Sequence, residues 1–287
     1  MPGDIFGLRT NSSKIYDKQV EDNWPESANY GYFCGGINYR ENSPPIPSNS
    51  VNIVDRLDYK TDVVSKPSST LPIDISISPT VFNKNYGYLA GGYRTGQPAP
   101  ESRPAAIQRI DFSNEVVDEL TSVLSEGRSG QGQCSTDYYG YFVGGSTPSG
   151  NVCTVDRINF STETVDVPPV DSQSTSSRGS VNSLGGGIFD SNYGYFGGGR
   201  KPTTTPPSLR DCTIDRLEFA TETIALPPTG NQLTQARSSI GEVKYVESYG
   251  YFACGHGPPT HIPPGGVGGH VARMEFSNET MTVIAQD

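Results

Sequence analysis

A four-residue motif, Tyr-Gly-Tyr followed by Phe or Leu, occurs five times in this chain of 287 residues. Successive copies are 56, 53, 54 and 56 residues apart, and they begin at Tyr30, Tyr86, Tyr139, Tyr193 and Tyr249. Five copies at a nearly fixed spacing indicate a tandem repeat, in which every copy forms the same structural unit. This periodicity constrains the fold more than any other feature of the sequence.

Each repeat contains a second recurring block, which follows a glycine pair. In the third repeat the block is Val-Asp-Arg-Ile-Asn-Phe at 155–160, followed by a Ser-Thr-Glu-Thr turn and a short apolar segment. Tyr-Gly-Tyr-Phe alternates as a pleated strand does, with both Tyr side chains on one face. Pro168 and Pro169 then end the repeat, because proline cannot donate a hydrogen bond to a sheet. With a leading strand before each motif, for example at 180–184 or 239–246, every repeat is predicted to form four short strands.

The repeats predict an all-β fold, namely a five-bladed β-propeller whose blades are four-stranded antiparallel sheets. One such sheet cannot bury both of its faces, whereas several arranged radially can. A linear solenoid is the alternative architecture, although these repeats are long for one. Blades are predicted to begin near residues 8, 68, 121, 170 and 229, with less than about 10% helix, since apolar residues nowhere keep a helical spacing. The single predicted domain, 1–287, divides into repeats at about 1–67, 68–120, 121–169, 170–228 and 229–287.

Charge and composition argue against several classes of partner. The net charge is −10, from 21 Lys and Arg against 31 Asp and Glu, and an acidic chain repels the phosphates of nucleic acid. No apolar run reaches the ~18 residues that a membrane span needs, so no membrane insertion is expected. Residues 1–4 lack the features of a secretory signal, and the five cysteines are an odd number without a Cys-x-x-Cys pair. These features predict assembly in a reducing cytoplasm.

The order of the elements resembles the kelch repeat, whose period is about 50 residues. Basic turns stand where kelch repeats place similar ones, beginning at Arg128, Arg178 and Arg237. The usual Trp of the outer kelch strand is missing, because the single Trp of this chain is Trp24. The resemblance covers essentially the whole chain and implies a kelch-like propeller.

The amino-acid sequence of the repeat resembles a second group of proteins more closely than it resembles kelch. Tyr-Gly-Tyr-Phe-Gly-Gly-Gly, followed by Val-Asp-Arg-Ile-Asp-Phe and a Ser-Thr-Glu-Thr turn, looks like the tandem-repeat virion structural proteins of marine tailed phages, especially those that infect cyanobacteria. This resemblance implies a bacteriophage virion protein that is made in the host cytoplasm. Its implied partners are other virion or assembly proteins.

One arginine recurs in the second block of every repeat, as Arg56, Arg109, Arg157, Arg216 and Arg273. A ring of five arginines could grip an anion in a central channel. A carboxylate or amide two residues further on, and the Tyr-rich strand beside each Arg, instead favour a structural role in pairing and stacking within or between blades. We therefore interpret the five as repeated structural residues.

Three histidines, His256, His261 and His270, lie in a Gly- and Pro-rich segment of the last repeat. Their spacing fits no short metal motif, so a solvated loop is predicted there and no metal site. No nucleophile elbow, zinc-protease helix or phosphate-binding loop occurs, which predicts no catalytic residue and no cofactor. His256, His261 and Trp24 remain candidate binding residues, with Trp24 either contacting a partner or plugging the first blade against the last.

The sequence therefore predicts a non-enzymatic virion structural or appendage protein, of the tail, fibre, neck or capsid decoration, that acts as a rigid protein–protein interaction or adhesion scaffold. The segments after each glycine pair differ in length and sequence, and variable loops on a rigid scaffold are typical of binding proteins. Residues 1–29 form the predicted attachment arm. The alternative is a lectin-like propeller that binds a host surface glycan and serves as a receptor binder; an enzyme or a cytoplasmic kelch-like adaptor fits less well.

Overall fold

A computed structural model describes residues 8–9, 30–38, 49–168, 186–199, 210–228, 232–245, 248–255 and 270–285. These residues form strands, turns and loops, and no helix occurs in any of the described ranges. Their strands build five four-stranded antiparallel sheets, arranged as the blades of a five-bladed β-propeller. The predicted fold class is confirmed.

Every blade takes its four strands from consecutive parts of the chain. Strands are numbered along the chain and given from the inside of the propeller outwards. The first blade contains β1 (Leu8–Arg9), β2 (Tyr30–Cys34), β5 (Val54–Asp58) and β6 (Val63–Ser65). The second contains β7 (Thr80–Phe82), β8 (Tyr86–Ala90), β9 (Ile107–Asp111) and β10 (Val117–Glu119).

The remaining blades repeat this arrangement. The third blade contains β11 (Gly132–Ser135), β12 (Tyr139–Val143), β15 (Val155–Asn159) and β16 (Val165–Asp166). The fourth contains β17 (Gly186–Phe189), β18 (Tyr193–Gly197), β19 (Ile214–Glu218) and β20 (Thr223–Ala225). The fifth contains β21 (Gly241–Tyr245), β22 (Tyr249–Ala253), β23 (Val271–Glu275) and β24 (Thr280–Ala285). Two small hairpins, β3 (Ile37–Asn38) with β4 (Asn49–Ser50) and β13 (Ser146–Thr147) with β14 (Gly150–Asn151), extend from the first and third blades.

The two recurring sequence blocks form the second and third strands of every blade. Their antiparallel register is the same five times, and it sets the second Tyr of each motif directly opposite the recurring Arg, as for Tyr141 and Arg157. The glycine between the two Tyr residues is needed because the preceding blade packs against it. A Cβ atom at Gly140 would lie 2.4 Å from Val81 Cγ2, and one at Gly250 would lie 2.5 Å from Ile188 Cδ1.

The inner strands begin later than predicted in the second and third blades. The sequence placed these starts near residues 68 and 121, whereas β7 begins at Thr80 and β11 at Gly132. The intervening segments cross from one blade to the next, where Leu71 and Leu124 are buried between sheets and donate backbone hydrogen bonds to the preceding blade. The predicted start near 170 and the predicted strand at 180–184 lie outside the described residues, as does the start near 229.

Hydrophobic side chains fill the junctions between neighbouring blades. Four clusters of buried residues lie between blades one and two, two and three, three and four, and four and five. In each junction the second Tyr of one blade stacks on a Phe of the next, with ring centroids 5.4–5.6 Å apart: Tyr32 on Phe112, Tyr88 on Phe160, Tyr141 on Phe219 and Tyr195 on Phe276. Offset stacking of this kind adds about 0.5–1.5 kcal/mol to the burial of the rings.

Candidate functional site

Each of these junctions also contains a polar cluster, which the fourth blade shows clearly. The guanidinium of Arg216 lies 4.5 Å above the Tyr193 ring, and its Nη1 is 2.9 Å from Oε1 of Glu279 in the fifth blade. The Tyr195 hydroxyl donates a hydrogen bond to the same Glu279 oxygen over 3.0 Å. One carboxylate thus accepts hydrogen bonds from an arginine and a tyrosine of the preceding blade, and it ties the two sheets together.

The same cluster recurs in the three earlier junctions. Each has an Arg stacked on the first Tyr of its blade, and a Glu of the next blade that bonds both this Arg and the second Tyr. The sets are Arg56, Tyr30, Tyr32 and Glu115; Arg109, Tyr86, Tyr88 and Glu163; and Arg157, Tyr139, Tyr141 and Glu222. We call this the junction cluster.

Electrostatics keep every donor of the junction cluster protonated. Burial, with the neighbouring glutamate, raises the pKa of the second Tyr well above its usual value in the first four blades. Burial opposes the charge on Arg216, but the hydrogen bond that Arg216 donates to Glu279, together with the charge of that carboxylate, outweighs burial and raises the pKa of the guanidinium. The carboxylate therefore keeps both of its hydrogen bonds across the physiological range.

The sequence had suggested a different acid as the partner of each Arg, namely the Asp, Asn or Glu two residues further on. In the second and third blades those side chains cap the following turn instead: Asp111 Oδ1 accepts the Ser113 N–H over 2.8 Å, and Asn159 Oδ1 accepts the Ser161 N–H over 2.9 Å. In the second and third blades the Arg pairs with Asp118 or Asp166 of its own outer strand. The acid partner that recurs in the first four blades is the glutamate of the turn in the next repeat. This glutamate has a left-handed backbone, with φ of 60° at Glu115. A recurring Glu in that turn was the available sequence signal.

The fifth copy of the junction cluster has no glutamate. Arg273 lies 4.5 Å above the Tyr249 ring like its counterparts, yet within the described ranges no carboxylate approaches to ion-pair distance. Asp62 of the first blade stands where the other blades have Glu, and it is exposed. Tyr251 is half-buried, whereas its four counterparts are at most 1% exposed. The junction between blades five and one, which we call the seam, is thus built differently from the other four.

A second repeated arginine lies deeper, where the chain enters a blade. Arg128 and Asp156 of the third blade are both fully buried, with Nη2 and Oδ2 2.7 Å apart, and the Ser125 N–H and hydroxyl also donate to Asp156. In the second blade the equivalent positions are neutral, with Ile75 and Gln108. Ile75 and Arg128 are equivalent positions, because the backbone carbonyl of each accepts a hydrogen bond from the second glycine of the preceding blade's Gly-Gly pair.

The fifth blade keeps the arginine and loses the acid. Arg237 is 1% exposed and donates to the carbonyls of His270 over 2.8 Å and Phe252 over 3.3 Å. Ala272 occupies the position of Asp156, and no carboxylate pairs with Arg237 among the residues described. Burial accordingly lowers the pKa of Arg237.

We expect Ala272→Asp to raise the free energy of unfolding by about 1–2 kcal/mol, because it gives an already buried cation its counter-ion. The measurement is urea denaturation of the variant beside the unaltered protein. Ala272→Asn serves as the control, since it matches the shape of Asp without its charge and should give less than half of the gain. Equal effects of Asp and Asn would contradict the electrostatic explanation.

All three candidate binding residues lie outside the part of the chain that the structure describes. The role of Trp24, His256 and His261 therefore stays a prediction. His270 is 9% exposed, and burial together with Arg237 lowers its pKa, which favours the neutral imidazole. No group of three His, Cys, Asp or Glu side chains suited to a metal ion occurs in the described part of the chain.

A candidate binding surface lies at one end of the propeller. The connections between the second and third strands follow the glycine pair, or Cys254-Gly255 in the fifth blade. Because the five sheets share one strand order, the second strands all end at the same end of the propeller. Two of these connections are fully described: the third blade has the short hairpin β13–β14, whereas the second blade has the longer segment 93–106. In that segment Arg94 pairs with Asp74 over 2.7 Å, Arg103 lies 5.4 Å from the Tyr93 ring centre, and residues 96–101 are exposed. We call this end the loop face.

Comparison with known proteins supports the architecture. No known protein family matches the chain, and no curated protein matches its sequence. The solved structure of YjhT is similar with a TM-score of 0.69 at 13% sequence identity, over 90% of this chain and 81% of that one. No helix that could cross a membrane was found in the described ranges. At this level of identity, the similarity to YjhT shows that the chain shares a propeller fold with it.

Proposed function

We propose that this protein is a non-enzymatic interaction scaffold of a phage virion, in the tail, fibre, neck or capsid decoration, and that it binds its partners through the loop face. The observation that carries the proposal is the contrast between the blades and the loop face. Inside the blades, the same residues and contacts recur; at the loop face, neighbouring blades present segments that differ in length and in exposed side chains.

The junction clusters favour a binding role that depends on rigidity. In four junctions the recurring ionisable residues are engaged with one another between the sheets, where Arg, Tyr and Glu hold the blades at fixed positions. Loops on such a support lose little conformational entropy when they bind, because their ends are already fixed. The amino-acid sequence of the repeat resembles that of virion tandem-repeat proteins of marine tailed phages. This resemblance favours the virion as the place where the binding occurs.

The segment 93–106 allows a direct test of the loop face. Replacing residues 94–104 of the second blade with the short connection of the third blade, residues 147–152, removes the exposed surface at 96–101 but keeps a connection that the fold already uses. We expect a folded propeller whose incorporation into particles falls at least about tenfold, as judged by the amount of protein in purified particles. The matched control is Ser113→Ala, at a turn on the opposite end of the same blade, which should leave incorporation unchanged.

The predicted attachment arm, residues 1–29, includes Leu8–Arg9, which the structure places in the first blade as its inner strand. Deletion of residues 1–7 therefore tests the arm without removing a blade strand. We expect a truncated protein that folds, with a far-ultraviolet spectrum and melting temperature close to those of the full chain, but that no longer assembles. Full assembly after the truncation would contradict a role for residues 1–7 in attachment, and loss of folding by Trp24→Ala would favour Trp24 as a plug of the first blade. If instead purified particles lack the protein and a glycan array binds it, the lectin-like alternative replaces the virion scaffold.

A further inference from the structure

The seam covers two sheet faces less completely than the other junctions do. In the fifth blade Tyr251 and Ala253 are half-buried, although their counterparts in the second blade, Tyr88 and Ala90, are fully buried. In the first blade Phe33 and Asp55 are likewise half-buried, whereas their counterparts Leu89 and Gln108 are at most 1% exposed. Among the described residues, the four clusters of buried hydrophobic side chains do not extend to this junction.

The other four junctions show which chemistry this face of a blade binds. Each time the arginine and the second Tyr receive a Glu carboxylate, and the same Tyr stacks on a Phe three residues before that Glu. The bound element is therefore a Phe-x-x-Glu turn at the start of an outer strand, as in 276–279 and 219–222. Arg273 and Tyr249 already have the mutual position that their counterparts have, with 4.5 Å in both the fifth and the fourth blade.

The first blade offers a poorer version of the same turn. Its sequence is Tyr59-Lys60-Thr61-Asp62, so the acid is one methylene shorter and the aromatic ring carries a hydroxyl. Asp62 has the left-handed backbone of the glutamates, with φ of 55°, yet it is exposed and makes no ion pair with Arg273 among the described residues. A buried arginine–carboxylate contact depends strongly on geometry, so a shortened acid does not replace the glutamate.

We propose that the Arg273 face of the fifth blade is an interaction surface for a partner protein that presents a Phe-x-x-Glu turn. The carboxylate of the turn pairs with Arg273 and accepts a hydrogen bond from Tyr251, while its Phe ring stacks on Tyr251. The complementary charge comes from Arg273, which alone among the five recurring arginines has no described acid at ion-pair distance. This surface is separate from the loop face and does not depend on the function proposed above.

The probe is a cyclic hairpin peptide with the sequence of residues 274–282, which contains the turn of the fifth blade, titrated into the full-length protein at low salt. We expect saturable binding that weakens at least about tenfold with Arg273→Ala, and equally with a Gln in place of the peptide's Glu, because both changes remove the charge-assisted bond. Arg94→Ala is the matched control, since Arg94 belongs to the loop face and should leave peptide affinity unchanged.

Three results would overturn the proposal. The unaltered protein could fail to bind the peptide, or Arg273→Ala could bind it as well as the unaltered protein does. Concentration-dependent self-association that requires Arg273, measured by sedimentation, would show that a second copy of this chain occupies the surface and not a separate partner. Since Arg273→Ala removes no described ion pair, the variant should fold, and its melting temperature checks this in the same samples.

Discussion

Replacing Asp156 with Ala is expected to lower the free energy of unfolding by about 3–5 kcal/mol. Asp156 and Arg128 are both fully buried, and their contact of 2.7 Å is supported by hydrogen bonds from Ser125. The substitution leaves the guanidinium of Arg128 inside the protein without a counter-ion. Removal of one partner from such a pair costs far more than the pair itself contributes, since the remaining charge stays desolvated.

The second blade provides the matched control for this prediction. Its equivalent residues are Ile75 and Gln108, and the Gln108 side chain accepts the Ile73 N–H over 2.9 Å. The double variant Arg128→Ile with Asp156→Gln reproduces this uncharged pair of side chains. It should recover most of the lost stability, as measured by chemical denaturation. Arg237 tolerates its missing acid because it donates to the His270 carbonyl over 2.8 Å, whereas the carbonyls that Arg128 contacts in the described ranges lie 3.3 and 3.5 Å away. A double variant no more stable than Asp156→Ala would contradict the explanation.

The second large effect is a difference in the free energy of unfolding between the alanine variants of two equivalent arginines. Arg216→Ala should lower the free energy of unfolding by about 1–3 kcal/mol, because Glu279, only 10% exposed, loses its cation and Tyr193 its stacking partner. Arg273→Ala should cost less than about 0.5 kcal/mol, since within the described residues it breaks no ion pair and only the contact with Tyr249.

Urea denaturation of the two variants beside the unaltered protein measures this difference directly. The free energy of unfolding is also measured for Asp62→Glu in both the unaltered protein and the Arg273→Ala variant. The comparison shows whether the effect of the longer acid at the seam depends on Arg273. Equal destabilisation by Arg216→Ala and Arg273→Ala would mean that Arg273 has an internal acid, and the seam would then resemble the other junctions. That result would also remove the basis for an interaction surface on the fifth blade.

The repeat architecture could be determined from the sequence alone. The spacing of Tyr-Gly-Tyr-Phe, its period-two alternation and the recurring Arg strand fix the number of sheets, the second and third strands of each and the face on which Tyr and Arg lie. These are local properties, because hydrogen bonding between adjacent strands and alternation of side chains follow from residues close together in the chain. The starts of the inner strands do not follow from local pattern, because the preceding blade holds the lead-in segments through contacts such as those of Leu71 and Leu124.

The recurring glutamate partners of the arginines were decided only by the tertiary structure. Arg56 and Glu115 are 59 residues apart, and Arg157 and Glu222 are 65 apart, so no local pattern pairs them. The sequence does show that Asp62 and Ala272 depart from the repeat, but a departure has no physical meaning until its contacts are known. Packing of one blade on the next makes Glu279 a buried bridge and leaves Arg273 without one, because the energy of a charge depends on what surrounds it in space and not on its place in the repeat.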